Sequence, residues 1–309
     1  MNNKIGFHMN YFRGTPYEFD VLSVLRRVHS AGGQALEVMP VHLNKLTQSE
    51  LNELKTLIGE WEIDLICGAG RTPQTDASSP DPAIREASFR ASEEILALLH
   101  FLGGHRWDGL VHAAWPGKPS GLLTVEDKQN ILLRCQREMQ RILPIAEEYD
   151  INLCFEVVNR FEHYLINSAA EGVDFCKALD HPRAKLLLDV FHMNIEENDI
   201  CAAITDTLRQ GYLDHFHVCE ANRCVPGTVP SHVDWNGVFS ALAEGGYSGS
   251  IILEPFILTG IPFTESSCIW RDLSGGADFE RILDYVDIGI DFVRRGMDTA
   301  AKAEPVIQL

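Results

Sequence analysis

The sequence predicts an α/β fold, a single (β/α)8 TIM barrel, on three observations. Eight strand-like runs alternate strictly with helical segments along the 309 residues. The strands are short, continuous apolar runs, as expected for a parallel sheet covered on both faces. The last four of them end in, or carry, carboxylates and imidazoles, and in such a barrel functional groups gather at the C-terminal ends of the strands. The length suits one barrel of roughly 250 residues with insertions, and a hydrophobic content of 45% fills a large core.

The elements follow in order. Lys4 to His8 forms a first strand. Tyr17 to Ala31 carries Phe19, Val21, Leu22, Leu25 and Val28 at helical spacing and stops at Gly32-Gly33. Ala35 to Val38 is the second strand. Thr47-Gln-Ser-Glu50 is a capping box, opening a helix whose apolar stripe is Leu51, Leu54, Leu57, Ile58 and Trp61. Ile63 to Cys67 is the third strand and runs into Gly68-Ala-Gly70. In Ser78-Ser-Pro-Asp-Pro82, Asp81 is the N-cap and Pro82 the first residue of a helix to about Leu102. Gly109 to Ala113 is predicted as the fourth strand, followed by the loop Trp115-Pro-Gly-Lys-Pro119 and a long helix capped by Thr124. Asn152 to Glu156 is the fifth strand, with Ser168-Ala-Ala-Glu171 capping the next helix. Ala184 to Asp189 is the sixth, followed by a helix of about ten residues from Ile200. Asp214 to Val218 is the seventh strand and Ser250 to Glu254 the eighth, with a helix from Asp234 to Glu244 between them. Ala277 to Arg295 closes the chain as a helix. One domain over residues 1–309 is expected, with a peripheral tail from about 298.

The net charge of −18, from 26 basic and 44 acidic residues, argues against nucleic acid or an anionic membrane as partner. Met1-Asn-Asn-Lys4 leads straight into a strand with no apolar leader, and no run approaches the roughly 18 apolar residues of a membrane span. A cytoplasmic protein is expected. The eight cysteines are scattered, several inside apolar runs (Cys67, Cys154, Cys176), and read as reduced thiols. Cys219 and Cys224 flank a loop near His217 but lack the second half of a zinc site.

Glu156, Asp189 and Glu254 each end an apolar strand, where an ionised carboxylate is costly unless a cation or hydrogen bonds meet it. His215 and His217 alternate about Phe216 and face one side of their strand. Two Glu, one Asp and one His on consecutive strands propose a metal site. A lone carboxylate or imidazole at a strand end is ordinarily structural; their joint occurrence carries the proposal.

Five segments closely resemble the ketose 3-epimerase family, the D-tagatose/D-allulose (psicose) and L-ribulose 3-epimerases of the xylose-isomerase-like barrels. They are Glu156-Val-Val-Asn-Arg-Phe-Glu162, Leu188-Asp-Val-Phe-His-Met-Asn-Ile-Glu-Glu197, His215-Phe-His-Val-Cys-Glu-Ala-Asn-Arg223, Leu253-Glu-Pro-Phe256 and Trp270-Arg-Asp272. Ser78-Ser-Pro-Asp-Pro82 resembles the family too. The resemblance implies one divalent metal ion, Mn2+ first and Co2+ or Mg2+ as substitutes, on Glu156, Asp189, His217 and Glu254. It implies Glu156 and Glu254 as the acid/base pair, and Glu162, His192 and Arg223 as substrate-binding residues. The implied reaction is epimerisation at C3 of a free ketose (D-tagatose, D-allulose/D-fructose or L-ribulose type), by deprotonation and reprotonation through a cis-enediolate at the metal. A homodimer or homotetramer is implied as well. His215 is expected behind the ligand histidine, and Asn159 and Arg160 carry no assigned role.

The chemistry suits these residues. Removing a proton beside a ketone on one face and returning it on the other needs two carboxylates, each contributing roughly 10²–10⁴-fold. A Lewis acid at the ketone oxygen takes up the charge that develops. The N-terminal half departs from the family pattern: Phe7-His-Met-Asn-Tyr11, Gly68-Ala-Gly-Arg71 in place of a Gly-His-Gly-Pro-like segment, and His112-Ala-Ala-Trp-Pro116. These segments are expected around the far end of the sugar, with Phe7 and Trp115 as apolar walls. Arg71 is either a cation suited to a phosphate or carboxylate on the substrate, or a solvated loop arginine. Trp270 is expected to close over the site. Alternatives on the same site are an aldose–ketose isomerase and an epimerase of an acidic or phosphorylated keto-sugar. A nuclease of the endonuclease IV type is disfavoured by the acidic charge, and a non-catalytic sugar-binding protein by the retained Glu156 and Glu254.

Overall fold

The computed structural model describes residues 3–302 apart from Ala69 and Ser120. Its strands are β1 (Ile5–His8), β2 (Ala35–Val38), β3 (Asp64–Gly68), β4 (Arg106–Gly109), β5 (Asn152–Val157), β6 (Ala184–Asp189), β7 (Leu213–Val218) and β8 (Ser250–Leu253). Each pairs in parallel with the next, and β8 pairs with β1, so the sheet closes into the expected eight-stranded barrel.

The helices are α1 (Val21–Ser30), α2 (Pro40–Leu43), α3 (Gln48–Glu60), α4 (Pro82–Leu102), α5 (Val125–Glu148), α6 (Ala169–Leu179), α7 (Val190–Glu196), α8 (Ile200–Arg209), α9 (Trp235–Glu244), α10 (Thr264–Ser267) and α11 (Phe279–Lys302). The caps are those read from sequence. Thr47 with Glu50, Thr124 with Asp127 and Ser168 with Glu171 form capping boxes, and Asp81 accepts from the Ala83 amide. No helix among the described residues is long and apolar enough to cross a membrane.

Three boundaries differ from expectation, the first being the start of α1, at Val21 behind an Asp20 cap and not at Tyr17. The fourth strand lies at Arg106–Gly109, not at 109–113. The apolar run Leu110-Val-His-Ala113 mimics a strand, but the true strand is polar because Arg106 and Asp108 face the barrel interior. Arg106 donates from Nη1 to Asp64 Oδ2 at 2.7 Å and from Nε to Asp214 Oδ2 at 2.8 Å. A register shift between Leu186 and Leu187 lets Asp214 join this group beside His215. The closing helix runs on to Lys302, past the expected start of the tail; 303–309 lie outside the described residues.

The barrel interior is therefore layered. Its floor is the Arg106, Asp64 and Asp214 ion cluster, and above it sits a small apolar plug of Ala35, Ile66 and Ile252. Above the plug stand His8, Glu37, Glu156, Asp189, His217 and Glu254, at the strand ends. Residues at odd offsets, Phe7 and Phe216 among them, point outward into the large core under the helices.

Replacing Arg106 by Leu is expected to lower unfolding free energy by about 3–5 kcal/mol, because Asp64 and Asp214 lose their counter-charge. Urea unfolding monitored by circular dichroism measures it; a loss below 1 kcal/mol would show the cluster to be energetically idle.

Candidate active site

Glu156, Asp189, His217 and Glu254 each offer one ligand atom, and these atoms all lie within 4.8 Å of one another. Strand ends supply them: Glu156 and His217 are the penultimate residues of β5 and β7, Asp189 ends β6, and Glu254 follows β8. Asp189 also caps α7, its Oδ1 accepting from the Phe191 amide at 2.9 Å, which leaves Oδ2 for the cleft. His217 Nδ1 is buried without a hydrogen-bond partner, 3.5 Å from Glu254 Oε2. Three carboxylates, one imidazole and an orphaned ring nitrogen aimed among them fit a divalent cation, and the oxygen-rich set favours a hard one. These four residues would hold it.

The same cleft is lined by Trp115, Glu162, His192 and Arg223. Arg223 sits in a tight turn at φ 68°, a left-handed conformation that costs a non-glycine residue free energy. The turn aims its Nη1 at Asp189 Oδ2 (2.9 Å) and Glu254 Oε2 (3.0 Å). Its guanidinium is held between the rings of Phe191 (3.9 Å) and Phe256 (4.6 Å). His192, placed by α7, lies with Nε2 3.4 Å from Glu156 Oε1. Its Nδ1 accepts from the Asn159 amide at 3.2 Å, so Nε2 carries the proton and faces the carboxylates. Asn159 also donates to Glu162 Oε1 at 3.2 Å, while Trp115 Nε1 donates to Glu162 Oε2 at 2.8 Å. Asn159 thus orients both His192 and Glu162, and Arg160 pairs with Glu196 on the surface at 2.5 Å.

Beneath lies a second group, Glu37, Asp108, His215 and His217, with ligand atoms equally close. Glu37 Oε2 meets His217 Nε2 at 2.7 Å and His215 Nε2 at 3.0 Å, and Glu37 Oε1 meets His8 Nε2 at 3.2 Å. His215 stands beside His217 in this lower group, with their Nε2 atoms 3.1 Å apart. Glu37 and Asp108 had not been anticipated. Glu37 carried the same signal as the other carboxylates, an acid inside an apolar run. Asp108 was hidden by the misplaced fourth strand.

Burial pushes the Glu156 carboxyl upward, opposed by His192. Burial acts on Glu254 in the same direction, but the charges of Arg223 and the neighbouring His217 outweigh it and bring its pKa down to about 2. Burial and the neighbouring Glu37 raise Asp108 well above the usual carboxylate range. Glu156 and Glu254 are thus shifted in opposite directions within one cleft.

Several N-terminal expectations are corrected. Phe7 is fully buried and packs on Tyr11 (5.0 Å) and Phe12 (6.5 Å), outside the barrel, because only alternate residues of β1 face in. Phe256 and Phe263 wall the cleft with Trp115 instead. His112 is buried against Phe155 and Phe175, away from the cleft. Arg71 is neither solvated nor in the cleft. It donates to the carbonyls of Val111 and Ser88 and to Ser92 Oγ, and its own carbonyl accepts from the Trp115 amide at 2.9 Å. Trp270 is 69% exposed and lines a neighbouring groove beside Glu162 and Arg223.

Residues 25–272 match the family described as xylose isomerase-like TIM barrel. The chain belongs to that family. The D-psicose 3-epimerase of Ruminiclostridium cellulolyticum is 36% identical over 292 residues, which cover 94% of this chain and 97% of that protein. The D-psicose 3-epimerase of Agrobacterium fabrum is 36% identical over 84% of this chain and 87% of its own. The crystal structure of D-psicose 3-epimerase with D-tagatose from Clostridium cellulolyticum H10 superposes with a TM-score of 0.86 at 34% identity, covering 95% of this chain and 99% of that one. This xylose isomerase-like barrel is a member of the ketose 3-epimerase group and an enzyme of the isomerase class.

Arg71→Met is expected to cost on the order of 1–3 kcal/mol for each carbonyl it orphans. It should leave the ratio of activity on free and phosphorylated ketoses unchanged. A selective loss with the phosphorylated sugar, in parallel steady-state assays, would return Arg71 to substrate recognition.

Proposed function

We propose that this enzyme epimerises a free ketose at C3, using one divalent ion, Mn2+ first, on Glu156, Asp189, His217 and Glu254. The observation that carries it is the convergence of those four residues in one cleft with Glu162, His192 and Arg223, in a chain 36% identical to a D-psicose 3-epimerase.

A divalent ion bound there supplies Lewis-acid polarisation of the ketone and a template for the neighbouring hydroxyl. Glu156 and Glu254 act as the acid/base pair. Glu156 is on β5 and Glu254 just after β8, and in this reading the substrate carbon lies between them. One takes the proton from C3 and the other returns one to the opposite face. Arg223, clamped between two aromatic rings, and His192, with its proton on Nε2, donate to substrate oxygens and select the carbon that meets the carboxylates. Glu162, tied to Trp115 and Asn159, accepts from a substrate hydroxyl. Phe256 and Phe263, packed edge to face, form an apolar wall of the cleft. The burial of Arg71 removes the cation that would have argued for an anionic substrate.

Incubation of D-fructose and D-tagatose with enzyme and Mn2+ in D2O is expected to give deuterium at C3 and the C3 epimer, read by proton NMR. Aldose as the main product would instead establish an aldose–ketose isomerase. At saturating Mn2+, Glu254→Gln should lower kcat by at least about 10²-fold with ketose binding still measurable by calorimetry; wild-type turnover in that variant would remove Glu254 from the acid/base pair.

A further inference from the structure

We propose that Glu37 is a positioning residue that keeps the proton of His217 on Nε2, so that the Nδ1 lone pair faces Glu156, Asp189 and Glu254. The inference rests on the metal-site function proposed above and names how that site is held.

His217 is 2% exposed, so its two ring nitrogens have only protein partners. Nε2 lies 2.7 Å from Glu37 Oε2, and a carboxylate only accepts. In the neutral ring the proton therefore sits on Nε2. The reverse tautomer would set two lone pairs against each other at that distance and point an N–H into the ligand cluster. Nδ1 is the orphaned atom of the ring, on the side of Glu254. A carboxylate behind a ligating imidazole fixes its orientation and raises its basicity.

Glu37 is itself immobilised. It is 1% exposed, and its two oxygens are met by His8 Nε2 at 3.2 Å and His215 Nε2 at 3.0 Å in addition to His217. Gly68, on the neighbouring strand, leaves the space its carboxylate occupies: a Cβ there would stand 2.1 Å from Glu37 Oε1. The lower group offers an ion no independent place while this hydrogen bond persists, because an ion between Glu37 and His217 would need the Nε2 lone pair. His217 thus serves one ion, above.

The test uses full-length protein labelled with 15N-histidine and loaded with Mg2+, a diamagnetic ion. His217 is expected to show a protonated Nε2 and an unprotonated Nδ1. Glu37→Gln is expected to weaken Mn2+ binding by about 10–100-fold, measured as free Mn2+ by electron paramagnetic resonance, with the far-ultraviolet circular dichroism retained. Gly68→Ala, which displaces the carboxylate without removing it, should weaken binding in the same direction. If Glu37→Gln does not fold, the wild-type tautomer decides alone. A proton on Nδ1, unchanged Mn2+ affinity in a folded Glu37→Gln, or two ions per chain with Nε2 deprotonated would overturn the proposal. Wild-type protein that binds no Mn2+ would sink the metal site and this inference together, whereas equal binding by wild type and Glu37→Gln would sink only the inference.

Discussion

Charge burial at the mouth of a closed barrel is the constraint on which the rest of the structure depends. Glu37, Asp189 and Glu254 are each at most 8% exposed. An uncompensated buried carboxylate costs several kcal/mol, so each needs a partner that the fold must deliver. Arg223 meets Asp189 and Glu254, His192 meets Glu156, and three histidines meet Glu37. In the candidate metal site, Glu156, Asp189 and Glu254 thus converge on a single arginine and two imidazoles, those of His192 and His217. Arg223 can serve only because it is locked in place, by a left-handed backbone and two flanking rings.

Compensation of this kind requires the barrel to close in register. The partners of each charge lie on strands far apart in sequence: Glu37 of β2 meets His215 and His217 of β7, and Arg106 of β4 meets Asp214 of β7. A one-residue slip of any strand would turn its inward set outward. The apolar plug of Ala35, Ile66 and Ile252 separates the ionic floor from the active end. Polar side chains fill much of the barrel here, and the bulk of the hydrophobic stabilisation lies between sheet and helices.

The catalytic end and the cleft walls have different origins in the chain. The ligands and donors come from β5 to β8 and the segments after them. The far wall gathers Met39, Leu110, Trp115 and Phe263 from segments that follow three different strands, β2, β4 and β8. The N-terminal segments, where the sequence departs from the ketose 3-epimerase pattern, contribute His8, Gly70 and Trp115 to the cleft.

Much of this was legible in the sequence because it is local. Alternating apolar runs and capping boxes mark the eight units, and acids at strand ends mark the ligand set. The family motifs from Glu156 onward add the donors. What failed was whatever depends on which face of a strand is inside. Phe7 reads as a pocket wall until β1 is placed with His8 inward, and the fourth strand reads as the apolar stretch after Gly109 because its real inward residues are charged. Arg71 reads as a free cation until the loop carrying it folds beneath Trp115. Sequence alone determined the fold class and the residues able to hold a cation, since periodicity and strand-end chemistry are written along the chain. Only the closed barrel decided that Glu37 stands behind His217 and that Arg223 bridges Asp189 and Glu254, because those contacts exist only when strands distant in sequence share one ring.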